Sequence, residues 1–387
     1  MKIAVLGSGL MGSAAAKYLA ERKEVKWVQL VDKDRVRLRK TAKWVRNNKL
    51  MLRQLDVADR NALAESLKGY DSALIALPHS LALTADQATS DAGVSAADLS
   101  FEDEQMKMHT QCKKAGITLI PGCGVAPGLA QILAGEAARQ LDSVDEIHIY
   151  VGGIPQTPKP PLNYRVVFSL ESVLGMYADR TVRIVQDGKI KITRALTEVE
   201  PISFPRPFED MEAFLTDGLA SLIYTMRGRV KVMDEKTVRY RGHAQQIRTL
   251  IETGLLSNEL VEFRSLKIRP REFLSAVLGP KIMLGKERDV TLLRVVVKGK
   301  KNESERRYTY EMVDHYDERE HVTSMARTTA YTGAIAAMML ANNTITQKGI
   351  APPETTFVGR NYRILMDQLA QKDMKVSTAV TTRTLLD

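Results

Sequence analysis

The sequence predicts an α/β chain in two parts: an N-terminal doubly wound parallel sheet and an α+β second domain with a mostly antiparallel sheet. Three observations support this prediction. Strand and helix patterns alternate up to residue 121, strand-like runs separated by turn signals dominate after residue 145, and a long Ala- and Met-rich apolar segment follows at 325–341. Regular alternation is typical of a parallel sheet with helices on both faces.

Short apolar and β-branched runs predict six parallel strands in the first part, at 2–6, 26–31, 51–57, 72–77, 95–99 and 117–121. Amphipathic segments between them predict the connecting helices, at 13–23, 35–47, 60–68, 81–92 and 104–115. The second part has strand-like runs at 146–151, 165–168, 182–185, 189–192, 238–241, 292–297 and 308–313. Since the apolar segment 325–341 is long enough for a core helix, we expect it to pack back on the first domain.

These patterns predict a dinucleotide-binding domain at 1–130, an α+β substrate and oligomerisation domain at 131–325, and a returning helical segment at 326–387. The 56 basic and 46 acidic residues are interspersed, so the net charge of +10 does not form the stripe expected of a nucleic-acid-binding protein. The sequence has no apolar run long enough to cross a membrane, and its two cysteines fit a reducing compartment. We therefore expect a cytoplasmic protein with a small-molecule partner, bound neither to nucleic acid nor to a membrane.

A glycine-rich loop follows the first predicted strand and opens the first helix. Gly7 permits a tight turn, Gly9 lets the backbone approach a pyrophosphate, and Gly12 lets the helix pack closely on the strand. Leu10 and Met11 begin the helix, whose free N–H groups attract an anion. In this context the loop predicts a Rossmann dinucleotide-binding domain.

Asp32 lies at the end of the second predicted strand, where an acid can accept hydrogen bonds from both ribose hydroxyls. A carboxylate repels a 2′-phosphate, so Asp32 favours NAD over NADP as the cofactor, although Lys33 and Arg35 lie close by. Asp56 follows the third strand, and either contacts the adenine or caps the next helix.

Segments along nearly the whole chain resemble the saccharopine dehydrogenase-like family. The similar segments are GSGLMG at 7–12, PGCGVAPGL at 121–129, YVGGIP at 150–155, VFSLE at 167–171, EVEPISF at 198–204, VRYRGHA at 238–244, LLRVVV at 292–297, ARTTAYT at 326–332 and KGIAPPE at 348–354. Two of them, VGGIP and YRGHA, resemble the lysine 6-dehydrogenase branch of the family. The resemblance implies a homo-oligomer that oxidises the ε-amino carbon of L-lysine with NAD, releasing ammonia and 2-aminoadipate 6-semialdehyde, which cyclises to a piperideine carboxylate.

Ligands of doubly wound sheets bind beyond the carboxyl ends of the strands, which selects three places in the first domain. Leu77 and Pro78 follow the fourth strand and are predicted to line the cofactor site, as is Gly124 after the sixth. Asp98 follows the fifth strand, and either contacts the substrate ammonium or relays its proton, or caps the next helix.

Four residues of the later chain are further candidates for the catalytic site. Arg241 and His243 are predicted two positions apart on one strand face, where they would offer a carboxylate fork and a group that titrates near neutral pH. The resemblance adds Tyr164, for which core packing is the alternative. Thr328 lies near the start of the late apolar helix, where a capping role is the alternative.

Two other functions remain open at this point. A related enzyme could act on a secondary amine such as saccharopine, whose extra carboxylates would require more basic residues. A non-catalytic regulator would bind the dinucleotide and turn over no amine. The sequence shows no metal-binding spacing, so we expect no metal site.

Overall fold

The computed structural model describes residues 1–178 and 181–384 and divides into two compact units. The first unit consists of Met1–Asp142, Ala220–Met226 and Ala326–Met374. The second consists of Ser143–Leu219, Arg227–Met325 and the chain from Lys375 onward. None of the helices within the described ranges is long and apolar enough to cross a membrane.

The first unit begins with alternating strands and helices, as the sequence predicts. The elements are β1 (Lys2–Leu6), α1 (Leu10–Ala20), β2 (Trp27–Asp32), α2 (Arg35–Val45), β3 (Leu50–Gln54), α3 (Arg60–Leu67), β4 (Ser72–Ile75), α4 (His79–Ala92), β5 (Ala96–Asp98), α5 (Asp103–Lys107), α6 (His109–Lys114), β6 (Thr118–Ile120) and α7 (Leu129–Arg139). The single helix predicted at 104–115 is wrong, because the chain breaks at Met108 into α5 and α6.

The second unit contains a large mixed sheet and several short helices. Its elements are β7 (Ser143–Pro155), α8 (Leu170–Ala178), β8 (Thr181–Gln186), β9 (Lys189–Arg194), β10 (Glu200–Ile202), β11 (Met211–Leu215), then, after α9 (Leu222–Thr225) of the first unit, β12 (Val232–Tyr240), α10 (His243–Glu252), β13 (Val261–Phe263), β14 (Leu266–Ile268), α11 (Pro270–Ile282), β15 (Asp289–Lys301) and β16 (Ser304–His315). The strand predicted at 165–168 is wrong: Val166 forms only an isolated bridge with Met283, and its side chain packs into the core.

The C-terminal part of the chain contributes to both units. Its elements are α12 (Ser324–Ala341), β17 (Gly349–Ile350), α13 (Pro353–Thr356), α14 (Arg360–Ala370) and β18 (Ser377–Arg383). Residues 326–374 belong to the first unit, in keeping with the expected return of the late helix. The predicted segment 326–387 does not return as a whole, because β18 pairs antiparallel with β16 of the second unit. Its last residues, 385–387, lie outside the described residues.

The two main sheets have the predicted strand directions. In the first unit, the described strands form a seven-stranded parallel sheet in the order β17-β6-β5-β4-β1-β2-β3. The order of the strands along the sheet reverses between β1 and β4. Doubly wound folds bind ligands in the crevice at this point. In the second unit, the order β10-β11-β12-β7-β15-β16-β18 is antiparallel except between β12 and β7, and β8 and β9 attach beside β12. The predicted fold class is therefore confirmed.

Candidate functional site

The glycine loop joins β1 to α1, and its backbone conformation leaves no room for a side chain at two of its positions. Gly7 adopts a φ of +99°, and a Cβ atom at Gly12 would lie 1.9 Å from the carbonyl oxygen of Gly7. A Cβ atom at Gly9 would meet nothing within 4 Å, so the space beside it is open. Leu10 and Met11 form the first turn of α1, whose N-cap Gly9 supplies no side-chain hydrogen bond. The loop therefore leaves room and free N–H donors for an anionic group at the start of α1.

Asp32 lies at the end of β2 and is bonded to the glycine loop. Its carboxylate accepts hydrogen bonds from the backbone N–H groups of Ser8, at 2.7 Å, and of Asp34, at 2.8 Å. The residue is half-buried. This is the position predicted from the spacing, beside the loop that would hold the pyrophosphate.

Three other residues are predicted to contact the cofactor, namely Asp56, Leu77 and Pro78. Asp56 is not a helix cap, since it accepts from Ala58 while Asp59 caps α3. Leu77 packs against the glycine loop, within 3.2 Å of a Cβ atom built on Gly7, and Pro78 is the N-cap residue of α4.

Gly124 is buried, and its own N–H is bonded to the carbonyl of Pro127 at 2.8 Å. It closes a tight loop with Gly128, whose added Cβ atom would lie 2.0 Å from the Gly124 carbonyl oxygen. The Gly124 N–H is thus bonded within the loop, and the Gly128 N–H donates to the Gln131 side chain at 2.7 Å. The predicted contact of Gly124 with the cofactor stays a prediction.

Asp98 is fully buried in a network of side chains rather than exposed at the sheet edge. Its carboxylate accepts from the N–H and hydroxyl of Ser100, each at 2.8 Å, and from the Gln105 amide at 2.9 Å. The same amide donates to Asp86 at 2.8 Å. Burial raises the pKa of Asp98 to about 7, and burial together with the charge of Asp98 raises the pKa of Asp86. The helix-cap alternative is wrong, because Glu102 caps α5.

Arg241 and His243 do not share a strand face, so the predicted pair is wrong. Strand β12 ends at Tyr240, Gly242 turns the chain with a φ of +89°, and His243 begins α10. Arg241 is exposed and forms an ion pair with Asp210. The glycine between the two residues was the sequence signal for this turn.

His243 is buried and does not titrate near neutral pH. Its Nδ1 lies 3.0 Å from the Leu162 carbonyl oxygen, and its Nε2 lies 3.3 Å from the Tyr177 hydroxyl. Burial, and then the positive charge of Arg239, lowers the pKa of His243 to about 3. The ring is therefore neutral at physiological pH and can exchange hydrogen bonds but not charge.

A cluster that sequence reasoning missed lies around Arg239 of the second unit. We call Arg239, Tyr164, Tyr177 and His243 the arginine cluster; all four side chains are buried. The Arg239 Nε donates to the Tyr177 hydroxyl at 3.1 Å, its Nη1 donates to the Val238 carbonyl at 2.8 Å, and the guanidinium lies 4.7 Å from the Tyr164 ring centre. The predicted residues Tyr164 and His243 thus lie together, 5.3 Å between ring centres, around a different arginine.

The guanidinium of Arg239 forms no ion pair with any residue that the structure describes. Glu212, opposite Arg239 in the β11–β12 register, uses its carboxylate to accept from the N–H groups of Gly242 and Ala244 at the start of α10. Burial raises the pKa of Glu235, on the same strand, to about 8, so this carboxyl is mostly uncharged near neutral pH. The second unit therefore buries a guanidinium that has no carboxylate oxygen within ion-pair distance among the described residues.

Thr328 and the cysteines lie inside the fold. Thr328 is fully buried within α12, which begins at Ser324, so it is not the cap of that helix.

Burial raises the pKa of both Cys112 and Cys123, and both thiols are free. No group of His, Cys, Asp and Glu side chains within 1–178 and 181–384 could hold a metal ion.

Family models match both parts of the chain. The saccharopine dehydrogenase NADP binding domain matches residues 3–120, and the saccharopine dehydrogenase C-terminal domain matches residues 124–374. The chain belongs to the saccharopine dehydrogenase family. The first domain of this family member is an NAD(P)-binding domain, and the match does not distinguish NAD from NADP.

Curated relatives of this family member are about a quarter identical to it over the aligned residues. Saccharopine dehydrogenase [NADP(+), L-glutamate-forming] of Saccharomyces cerevisiae is 23% identical over 251 residues, which are 59% of this chain and 53% of the relative. The mitochondrial alpha-aminoadipic semialdehyde synthase of Mus musculus is 25% identical over 278 residues, which are 67% of this chain and 29% of the relative. The chain thus spans about half or less of the length of these relatives.

Solved structures share the fold of this family member over 98% of its length. The apo saccharopine dehydrogenase (L-Glu forming) of Saccharomyces cerevisiae has a TM-score of 0.79 at 19% identity, covering 98% of this chain and 99% of that one. The homospermidine synthase of Legionella pneumophila in complex with NAD has a TM-score of 0.59 at 13% identity, covering 98% and 91%. At these identities the likeness shows the fold alone.

Proposed function

We propose that this protein is an NAD(P)-dependent oxidoreductase that acts on a secondary amine built from amino acids, of the saccharopine type. The observation that carries the proposal is the arginine cluster, in which a buried guanidinium has no ionised partner among the described residues. A buried charge without a partner is unfavourable by several kcal/mol, which a bound carboxylate would offset. Family membership and the curated relatives support the reaction class.

The first unit supplies what a dinucleotide needs. The open space beside Gly9 fits a pyrophosphate, and the N-terminus of α1 offers N–H donors to it. When bound, the nicotinamide accepts a hydride from the carbon next to the amine nitrogen. Asp32 suits the two ribose hydroxyls and repels a 2′-phosphate, so we propose NAD as the preferred cofactor.

The arginine cluster supplies what the acidic end of the substrate needs. A guanidinium binds a carboxylate through two parallel N–H···O bonds, which fix orientation as well as charge. His243 stays neutral and Tyr177 holds the Arg239 Nε, so neither neutralises the positive charge. Bound here, a carboxylate would be shielded from water and held in one orientation.

A second candidate is the oxidative deamination of the ε-amino group of L-lysine. The VGGIP and YRGHA segments of the sequence favour it. In this reaction the products would be ammonia and 2-aminoadipate 6-semialdehyde, which cyclises. The two candidates share cofactor and fold and differ in the substrate alone.

The experiment measures the rate of NAD(P)H formation at alkaline pH. The substrates are saccharopine, L-lysine and L-ornithine, each with either NAD⁺ or NADP⁺. High pH is chosen because the amine must lose its proton before hydride can leave. The proposal expects the highest kcat/KM with saccharopine and NAD⁺; a higher value with lysine would establish the second candidate. Dinucleotide binding without turnover of any amine would overturn both in favour of a regulator.

A further inference from the structure

Residues 33–53 carry most of the net positive charge of the chain. This stretch contains nine basic residues and one acidic residue, a net charge of +8, while the net charge of the whole chain is +10. The basic residues are Lys33, Arg35, Arg37, Arg39, Lys40, Lys43, Arg46, Lys49 and Arg53. Basic and acidic residues nearly balance over the rest of the chain, so the positive charge is concentrated around helix α2 and strand β3.

The exposed basic side chains of α2 lie on one surface of the helix. Leu38, Thr41 and Val45 are buried and form its inner side. The basic residues at the other positions are exposed. We call them the basic helix surface, which consists of Arg35, Arg37, Arg39, Lys40, Lys43 and Arg46. Arg35, Arg39 and Lys43 are spaced four positions apart, which places them in a row about 12 Å long. The C-cap residue Arg46 continues this row by about one turn.

The placement of these charges opposes the stability of the helix. Like charges four positions apart on a helix repel each other, and the row contains such pairs. Arg35 and Arg37 lie in the first turn, where the helix dipole disfavours cations and where no acidic residue stands. Arg37 forms an ion pair with Asp34 at 3.3 Å, and the other five residues form no ion pair with any residue that the structure describes. A bound polyanion would relieve this repulsion.

A dinucleotide at the glycine loop does not account for the basic helix surface. Asp32 is bonded to that loop and precedes α2, so a cofactor bound there lies at the N-terminal end of the helix. Lys43 and Arg46 lie about 12 Å and about 16 Å farther along the helix axis than Arg35. The row therefore extends beyond the part of α2 that a cofactor would contact.

The composition of α2 favours a nucleic acid duplex over a membrane or a single strand. A membrane-binding helix inserts its apolar side among the lipids. Among the residues of α2, all of which the structure describes, that side is buried and Val36 is the one exposed apolar residue, at 75%. Unpaired bases stack on exposed aromatic side chains, but Trp44 is half-buried and the Lys17 Nζ lies over its ring. A duplex presents one negative charge per about 1.7 Å of its axis, which suits a long row of cations.

We propose that the basic helix surface binds the phosphate backbone of a double-stranded nucleic acid. The guanidinium groups of the surface can each donate two parallel hydrogen bonds to a phosphate. Contacts with the backbone carry no sequence information, so binding is independent of sequence. This proposal replaces the expectation from the sequence that the protein binds no nucleic acid. It does not depend on the proposed function, because Arg39 and Lys43 lie outside the predicted cofactor site.

The test is the binding of the full-length protein to short fluorescent duplexes of DNA and of RNA, followed by fluorescence anisotropy between about 50 and 200 mM salt. The wild type is expected to bind both, and the tighter-bound duplex identifies the nucleic acid. Contacts with four to six phosphates should make the logarithm of the affinity fall with the logarithm of the salt concentration, with a slope of about −3.5 to −5.5. A duplex of scrambled sequence should bind equally well.

Two variants locate the binding surface. R39E/K43E reverses two charges in the row and should bind at least about tenfold more weakly, with a salt slope that is shallower by about two. R227E/R229E is the matched control, because it changes the net charge equally at two exposed arginines of the second unit, and it should bind like the wild type.

Circular dichroism and denaturant unfolding check that the variants are folded, and R39E/K43E should be no less stable than the wild type because it removes like-charge pairs. A wild type that binds neither duplex at the lowest salt would overturn the proposal, as would wild-type affinity in R39E/K43E. Equal weakening in R227E/R229E would show that the overall charge, not α2, is responsible and would also overturn it. So would tighter binding to a single strand of the same sequence, to polyglutamate or to vesicles of anionic lipid.

Discussion

Replacing Arg239 by Met tests the role of the arginine cluster, because Met fills a similar volume without charge. The guanidinium is buried, forms two hydrogen bonds and has no ionised partner among the residues described. If its partner is the substrate carboxylate, Arg239→Met should lower kcat/KM for the amine substrate. It should leave the affinity for NAD(H) unchanged, because the glycine loop lies in the other unit.

The expected size of the loss in kcat/KM follows from the burial of the Arg239 side chain. Removing one partner of a buried, hydrogen-bonded charge pair costs about 3–5 kcal/mol, so kcat/KM should fall at least about a hundredfold. The free protein has no such pair to lose. Loss of the bond to Tyr177 costs about 1 kcal/mol, and removal of a buried uncompensated charge offsets it. The free energy of unfolding should therefore stay within about 1 kcal/mol of the wild-type value or rise.

The assay combines steady-state rates with denaturant unfolding of the ligand-free protein. Arg241→Met is the control variant. Arg241 is exposed and forms a surface ion pair with Asp210, so the rate and the stability of this variant should differ little from those of the wild type. A wild-type kcat/KM in Arg239→Met would refute the reasoning. So would a loss of several kcal/mol in stability, which would mean that Arg239 is a structural residue.

Three further predictions concern the cofactor and a buried acid. Gly9→Ala should weaken dinucleotide binding without changing the free energy of unfolding. Gly12→Ala should lower the free energy of unfolding, because its Cβ atom would lie 1.9 Å from a backbone oxygen. Equal effects of the two variants on stability would contradict this. Asp32→Ala should raise the KM for NAD⁺ more than that for NADP⁺, and a matched rise would remove the carboxylate from the ribose site. Burial raises the pKa of Glu235 from 4.5 to about 8, so the folded protein holds a proton that the unfolded chain releases, and stability should fall between pH 5 and pH 8 by up to about 4 kcal/mol. Glu235→Gln should flatten that profile in denaturant titrations, and an unchanged slope would show that the acid is not perturbed.

The parallel sheet was predictable because its signals are local. Strands β1 to β6 of the first unit are short runs rich in apolar residues, and the glycine loop and Asp32 are recognised by their fixed spacing. Strands β17 and β18 were not predicted, because they depend on distant partners: β17 joins β6, and β18 joins β16. Likewise, nothing local in 220–226 indicates that this stretch belongs to the first unit.

The candidate site shows the same limit at the level of side chains. The VRYR segment contains two arginines two positions apart, and the sequence alone does not say which one is buried. The structure places Arg239 within β12 and Arg241 after its end, so the buried arginine is Arg239 and not the predicted Arg241. Asp98 was correctly placed at a strand end, but the surrounding Ser100 and Gln105 side chains that bury its carboxylate come from the loop and helix that follow.

The most direct test of the account is a comparison of amine oxidation in the wild type and Arg239→Met at saturating NAD⁺, with saccharopine as substrate. Reduced nicotinamide is followed by its near-ultraviolet absorbance, and the amino-acid products are identified by mass spectrometry. The account predicts turnover by the wild type, with glutamate and a semialdehyde as products, and a loss of at least about a hundredfold in the variant. Absence of any nicotinamide reduction in the wild type, with dinucleotide bound, would contradict it.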